Sequence, residues 1–286
     1  MQVAPPEPRL LAVSDLHVAY PENRTIVEEQ LHPGHPGDWL IVAGDVGELY
    51  ADIEWALTLL AQRFDTVIWV PGNHELWTPK EDPVQLRGDQ RYRRLVEMCR
   101  ELGVYTPEDP FPVWRGAGGP VAIAPLFVLY DYTFRTDPAD DKAAALAKAH
   151  AAGVVCTDEF LLHPNPYPSR DAWCRSRLTI TQRRLDAHDS SLPLVLVNHW
   201  PLVRDPTFVL RYPEFALWCG TEGTADWHRR YRVSAAVYGH LHIPRTTTYD
   251  GVRFEEVSIG YPRERKMYGG LPRGPLRQIL PVEENP

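Results

Sequence analysis

The sequence predicts an α/β fold in which buried strands form a sheet covered by helices. Two patterns carry that reading. Five short apolar runs are continuous rather than alternating, as expected of strands buried on both faces. Segments with apolar residues at helical spacing lie between them, and such alternation points to helices packed on a sheet. The 286 residues are ample for a sizeable core, and 44% hydrophobic with 24% charged residues is an ordinary globular composition.

Taken in order, residues 10–13 (LLAV) lead into SDLH, and residues 39–43 (WLIVA) lead into GDVGE. Residues 52–64 (DIEWALTLLAQRF) read as a helix with an acidic residue at its start. Residues 67–70 (VIWV) lead into PGNHE, followed by helical spacing over 87–102. A second long helix is expected over 171–188. Residues 194–197 (LVLV) then lead into NHWP, and residues 235–238 (AAVY) into GHLH. The alternating pieces RTTTYDG, VRFEEVSIG and LRQIL are expected to build a second, antiparallel sheet. No break in composition marks a linker, so 1–286 reads as one domain. Two stretches, about 127–192 and 202–233, are long excursions between core strands. Long loops in compact domains are usually functional, and these are expected to cap a site.

Composition narrows the function. A formal net charge of −8 argues against nucleic acid as the main partner, because such binding rests on neutralising phosphates with Lys and Arg. MQVAPPEPRLLAVSD lacks a basic segment followed by an apolar one, and VAIAPLFVLY is too short to span a membrane. The expectation is a cytoplasmic protein with no membrane partner. Cys99, Cys156, Cys174 and Cys219 are widely spaced, with no CxxC, and read as reduced and structural.

All five buried runs end in polar residues that can hold a metal: Asp15, His17, Asp45, Asn73, His74, His199, His240 and His242. Singly, most of these motifs are weak, a DxH or a GD after a strand being usually a turn; GHLH is moderately specific, since HxH puts two imidazoles within reach of one ion. Ligands bind outside the carboxyl ends of strands in open α/β sheets, so these tips are expected to converge. Buried polar groups cost free energy unless paired or metal-bound, which makes eight of them at strand ends hard to explain by stability. Imidazoles, carboxylates and an amide oxygen without thiolate suit Mn, Fe, Zn or Ni. One open catalytic site needs about three protein ligands, so the set fits two ions sharing a carboxylate.

In this order DxH, GDxxE, GNHE, NH and GHxH resemble the calcineurin-like metallophosphoesterase superfamily, over the chain from Asp15 to His242. The resemblance implies a four-layer α/β/β/α sandwich with a dinuclear centre of Mn and/or Fe. It implies that Asp15, His17 and His242 hold one ion and Asn73, His199 and His240 the other. Asp45 is then the bridge and His74 the catalytic histidine. GDVGELY carries no arginine where the protein Ser/Thr phosphatases of the superfamily have one, which favours the phosphodiesterase-like branch. Further phrases, among them LYDY, PYPSRDAWC, YPEFALWCGT and YGHLHIPRTT, resemble bacterial 4′-phosphopantetheinyl hydrolases. That likeness implies holo-acyl carrier protein as substrate; a cyclic-nucleotide or other small-molecule phosphodiesterase or phosphatase is the alternative. An inactive scaffold on this fold is disfavoured, because none of the eight residues is missing.

The chemistry expected is hydrolysis of a phosphodiester by metal-bound hydroxide. Two ions about 3.5–4 Å apart can clamp the entering and departing oxygens. Asn73 can ligate through its carbonyl oxygen while its NH₂ donates to a phosphate oxygen. His74 is expected to protonate the leaving alkoxide, with Asp45 orienting its ring. Trp77, three residues on, is expected to wall the site, and Arg204 and Arg211 of the second excursion are candidates to bind substrate, with His228, Arg229 and Arg230 more often surface charges. Residues 91–95 (RYRRL) read as the polar face of a helix, and 263–266 (RERK) as charges that could steer an acidic carrier protein.

Overall fold

The five apolar runs become strands with both faces covered. The computed structural model describes residues 7–267, 269–272 and 274–282. In the first half, β1 (Leu10–Val13), β2 (Trp39–Val42) and β3 (Thr66–Trp69) alternate with α1 (Pro21–Gln30) and α2 (Tyr50–Arg63), and β3 is followed by the short α3 (Asn73–Leu76) and by α4 (Gly88–Glu101). Two strands follow, β4 (Val113–Trp114) and β5 (Val121–Pro125). The first excursion carries α5 (Lys142–Ala151), α6 (Asp158–Leu161) and α7 (Arg170–Asp186) before β6 (Leu194–Val197). The second is built of three short 3₁₀ turns and α8 (Trp227–Arg230), and leads into β7 (Val233–Tyr238). The chain closes with β8 (Arg245–Tyr249), β9 (Val252–Glu256), α9 (Pro262–Met267) and β10 (Arg277–Leu280).

The described strands form two sheets, one in the order β10-β1-β2-β3 and one in the order β4-β5-β6-β7-β9-β8. The alternation of side chains explains the continuous apolar runs. Leu10, Ala12, Ile41, Ala43, Ile68 and Val70 of the first sheet share one buried cluster with Ile123, Val195, Val197, Ala235 and Val237 of the second. The intervening residues, among them Leu11, Val13, Leu40, Val42, Val67 and Trp69, pack outward with helix residues such as Ile26, Val27, Ile53, Leu57 and Leu60. The second sheet does the same, with Leu194, Leu196, Ala236 and Tyr238 facing away from the first sheet. The result is helix, sheet, sheet, helix. Each buried Val, Leu or Ile contributes about 1.5–3 kcal/mol.

Local signals start the helices. Pro21 opens α1, where its fixed φ costs nothing. Asp141 and Ser169 cap α5 and α7 by accepting from Ala144 N and Ala172 N. Tyr50, Ile53, Leu57 and Leu60 give α2 its buried stripe.

Three expectations change. The second sheet is mixed: β5, β6, β7 and β9 run parallel, and β4 and β8 are antiparallel edges. LRQIL becomes β10 and pairs antiparallel with β1 in the first sheet. Residues 91–95 also do not form a simple polar face. Arg91 is fully buried, pairs with Asp82 at 2.9 Å, and donates to the carbonyls of Glu75, Val84 and Glu48. A guanidinium has five donors, and here it ties α3 to the loops at Glu48 and Val84. The cysteines are free and buried as expected, and no helix of the described residues is long and apolar enough to cross a membrane.

At the other end of β1 and β2, Asp38 accepts from Arg9 N at 2.7 Å, Arg9 Nη2 at 3.1 Å, Gly34 N at 2.8 Å and His35 N at 3.1 Å. Burial alone would raise its pKa, but the bonds from Arg9, Gly34 and His35 hold it below the ordinary carboxylate range. A depressed folded pKa stabilises the fold above the unfolded value, about 3.9, and the gain is lost as pH falls through the folded value. Asp38→Asn should therefore cost about 1–3 kcal/mol at pH 7, with the difference from wild type shrinking below about pH 4 in urea-unfolding midpoints. A gap that stays constant down to acid would contradict it.

Candidate metal centre

The five strand tips meet at one end of the sandwich, and the backbone there is unusual. Seven non-glycine residues among those described have positive φ, and five of them are Asp15 (54°), His17 (41°), Asp45 (53°), His240 (70°) and His242 (55°). Each such residue costs on the order of 1–3 kcal/mol, and such residues cluster at functional sites. Cross-loop bonds hold them: Asp15 N donates to Gly44 O at 2.9 Å, His17 N to Asp45 O at 3.0 Å, and His240 N to the Asp15 carboxylate at 3.1 Å. Close approach demands glycine nearby. A Cβ on Gly239 would lie 2.1 Å from Ser14 Oγ and 2.2 Å from Asp15 Oδ2.

Three groups of ligand-type atoms result, Asp15–His17–Asp45–His242, Asp45–His199–His240 and His17–Glu48–His74. The first two share Asp45. In the first, His242 Nε2 is 2.9 Å from Asp15 Oδ1, and His17 Nε2 is 3.2 Å from His242 Nε2 and 3.9 Å from Asp45 Oδ2. In the second, His199 Nε2 is 3.4 Å from Asp45 Oδ2 and 3.2 Å from Asn73 Oδ1, which adds the amide oxygen. Asp15, His17 and His199 are fully buried.

The electrostatics fit a cation pair. Burial opposes charge on Asp45, yet His199 and His74 hold its pKa well below the ordinary value; Asp15 is likewise lowered by His242. The two carboxylates draw protons in turn. His199 rises to about 9 against its burial, mainly through Asp45, and His242 rises well above the ordinary value through Asp15. His240, buried beside His199, falls to about 3. Buried anions ringed by imidazoles, with no thiolate, form a donor set for transition metals. His240 Nε2 is buried without a hydrogen-bond partner, a cost that ligation by the imidazole can offset.

His74 lies outside both groups that share Asp45 and falls in the third, with His17 and Glu48. Its backbone N–H donates to Asp45 Oδ1 at 2.9 Å. Its ring is oriented by Glu48, not by Asp45: Nδ1 donates to Glu48 Oε1 at 2.7 Å, whereas Asp45 Oδ2 is 3.8 Å from Nε2. Asp45 is committed to its neighbours by the turn after β2, and Glu48, three residues on, takes the orienting place. Burial opposes charge on His74, but Asp45 and Glu48 raise its pKa. Tyr261 Oη lies 3.3 Å from His74 Nε2.

The other candidates divide. Asp45, Asn73, His74, His240 and His242 line a cavity of about 280 Å³ whose outer wall includes Arg211, Tyr212, Phe215 and Tyr261. The second excursion thus does border the site. Arg204 is not in that wall; its guanidinium lies over Phe208. Trp77 backs His74, with ring centroids 3.7 Å apart, rather than lining the cavity. His228 pairs with Asp250 at 2.8 Å, while Arg229 and Arg230 lie near Asp250 and Asp186. One of the Asn73 N–H groups, expected on phosphate, is occupied by Asp158 Oδ1 at 3.0 Å.

Sequence reading missed the carboxylates behind the imidazoles. Glu264, inside RERK, accepts from His242 Nδ1 at 2.6 Å, and Ser258 donates to Asp15 Oδ2 at 2.8 Å. Such partners fix ring orientation and raise ligand basicity. Glu48 had a signal, because it completes GDVGE; Asp158, Tyr261 and Glu264 had none.

Comparison with known proteins agrees with this geometry. The family model for calcineurin-like phosphoesterases matches residues 8–244. The chain is 58% identical over 278 residues to the acyl-carrier-protein phosphodiesterase PptH of Mycobacterium tuberculosis, covering 96% of this chain and 84% of that one. It matches the crystal structure of phosphopantetheinyl hydrolase (PptH) from Mycobacterium tuberculosis with a TM-score of 0.95 at 57% identity, over 98% of each chain. A chain matched along most of its length by the family model, with the family's strand-tip residues gathered into two groups around one carboxylate, belongs to the calcineurin-like phosphoesterases.

Proposed function

We propose that this phosphoesterase is a dinuclear metal-dependent phosphodiesterase that cleaves the bond joining 4′-phosphopantetheine to a holo-acyl carrier protein. The observation that carries this reading is the 58% identity to PptH, which extends over 96% of the chain and so through both excursions. Asp15, His17 and His242 would hold one ion, Asn73, His199 and His240 the other, with Asp45 between them. Mn and Fe suit these donors, with Zn or Ni as alternatives. Bound there, the pair supplies an acidified water and positive charge for the phosphate.

The chain's own residues do the rest. The Arg211 cation borders the cavity and can meet the diester's negative charge. Glu48 fixes Nδ1 of His74, which leaves Nε2 to pass its proton to the departing alkoxide oxygen of the carrier protein as that P–O bond breaks and a water oxygen takes its place on phosphorus. Tyr261, at 3.3 Å, can hold that nitrogen until the leaving group arrives. Four unpaired, buried cysteines suit a cytoplasmic setting.

The test is to incubate Mn- or Fe-loaded protein with holo-acyl carrier protein and weigh the product, with cyclic nucleotides and bis(p-nitrophenyl) phosphate in parallel. Loss of the whole arm is expected, abolished by chelation. An intact holo-carrier alongside turnover of the small diesters would overturn the carrier-protein assignment, and no turnover of any diester would overturn phosphodiester hydrolysis.

A further inference from the structure

The first excursion sends one buried carboxylate back to the centre. Asp158, on α6, is fully buried. Its Oδ1 accepts from Asn73 Nδ2 at 3.0 Å and from Trp77 Nε1 at 2.7 Å. An amide can present either oxygen or nitrogen, and only the oxygen can ligate a cation. With its NH₂ on Asp158, the Asn73 amide has Oδ1 on the His199 side, 3.2 Å from Nε2. The same carboxylate oxygen holds the Trp77 indole, whose ring lies on His74 at 3.7 Å and 30°.

Asp158 is itself firmly placed. Arg170 Nη2 donates to its backbone carbonyl at 2.6 Å, Arg170 Nε donates to Leu162 O at 2.9 Å, and Arg170 Nη1 reaches Glu159 Oε2 at 3.0 Å. The backbone on the far side is tied in as well: Thr78 N donates to Leu161 O at 3.1 Å, and Trp77 bridges to Leu162. Geometry can therefore pass from α6 to Asn73 and Trp77 without slack.

We infer that Asp158 is a positioning residue of the centre. It locks the Asn73 amide with its oxygen toward the second ion and holds Trp77 against His74, so that the first excursion completes the site. This rests on the roles proposed above for Asn73 and His74.

Titrating Mn²⁺ into the metal-free protein tests it, with unfolding temperature and turnover of bis(p-nitrophenyl) phosphate measured beside it. Asp158→Ala should weaken uptake of the second ion about 10–100-fold, with kcat reduced by a similar factor. Asp158→Asn keeps a carbonyl oxygen for both donors and should restore most of the affinity. If the alanine variant does not fold, Asp158→Ser, too short to reach either donor, is expected to show the same loss. Wild-type Mn²⁺ affinity in the alanine or serine variant, with only the unfolding temperature lowered, overturns the inference. If wild type itself takes up fewer than two ions, the reading of Asn73 fails instead.

Discussion

Replacing His74 with alanine is expected to cut turnover by about 10²–10⁴-fold on a diester with a poor leaving group, while both ions stay bound. The ring stands outside both groups of ligand atoms that share Asp45 and falls in the third, with His17 and Glu48; on the roles proposed above, its loss removes no contact to either ion. It does remove the one imidazole whose Nδ1 is anchored on Glu48 and whose Nε2 lies at the Tyr261 hydroxyl. An alkyl alkoxide must be protonated as it departs; a nitrophenolate departs without help. The rate loss should accordingly be steepest for alkyl leaving groups and shallowest for nitrophenyl ones. Rates across such a series, with metal content measured on the same samples, decide the matter. Metal lost together with rate would make His74 a ligand. An equal loss across all leaving groups would take proton donation away from it.

The parts of this molecule legible in the sequence are those set by periodicity and by sequence-local chemistry. Continuous apolar runs follow from strands covered on both faces, as Leu10/Ala12 against Leu11/Val13 illustrate. The strand-tip residues were legible because a strand end and its turn are neighbours in sequence. What was hidden depends on contacts between distant segments. β4 has two residues, and β10 joins the first sheet through pairing with β1, which no local pattern specifies. Glu264 sits in a charge run that looks like solvated surface, yet it reaches 22 residues back to His242. Arg91 looks equally exposed in RYRRL and is buried. The positive φ at Asp15, His17, Asp45, His240 and His242 is likewise not fixed by residue type: aspartate and histidine tolerate it better than most residues, yet usually do not adopt it.

At Asp45 the enforcing bonds come from Glu75, whose loss should be the most damaging single change to the fold of the site. Glu75 is fully buried, and its Oε2 accepts from Asp45 N at 3.0 Å and Gly72 N at 2.9 Å while Oε1 accepts from Val46 N at 2.8 Å. One carboxylate thus satisfies three backbone donors from the turns after β2 and β3. The two turns approach closely: a Cβ on Gly72 would lie 2.1 Å from Asp45 Oδ1. In Glu75→Ala three buried N–H groups lose their partner, at about 1–3 kcal/mol each. The sum, on the order of 3–9 kcal/mol, is comparable with the whole stability of an ordinary domain. Glu75→Gln keeps one acceptor oxygen and turns an NH₂ toward donors, so it should fall between wild type and alanine. Urea unfolding of the metal-free protein measures the loss without the stabilisation that bound ions add. A cost below about 1 kcal/mol for the alanine variant would mean that water replaces the carboxylate and that the clamp is not what holds Asp45 at positive φ. The expected cost would mean that the last residue of PGNHE acts on the backbone under Asp45, while the two before it face the chemistry.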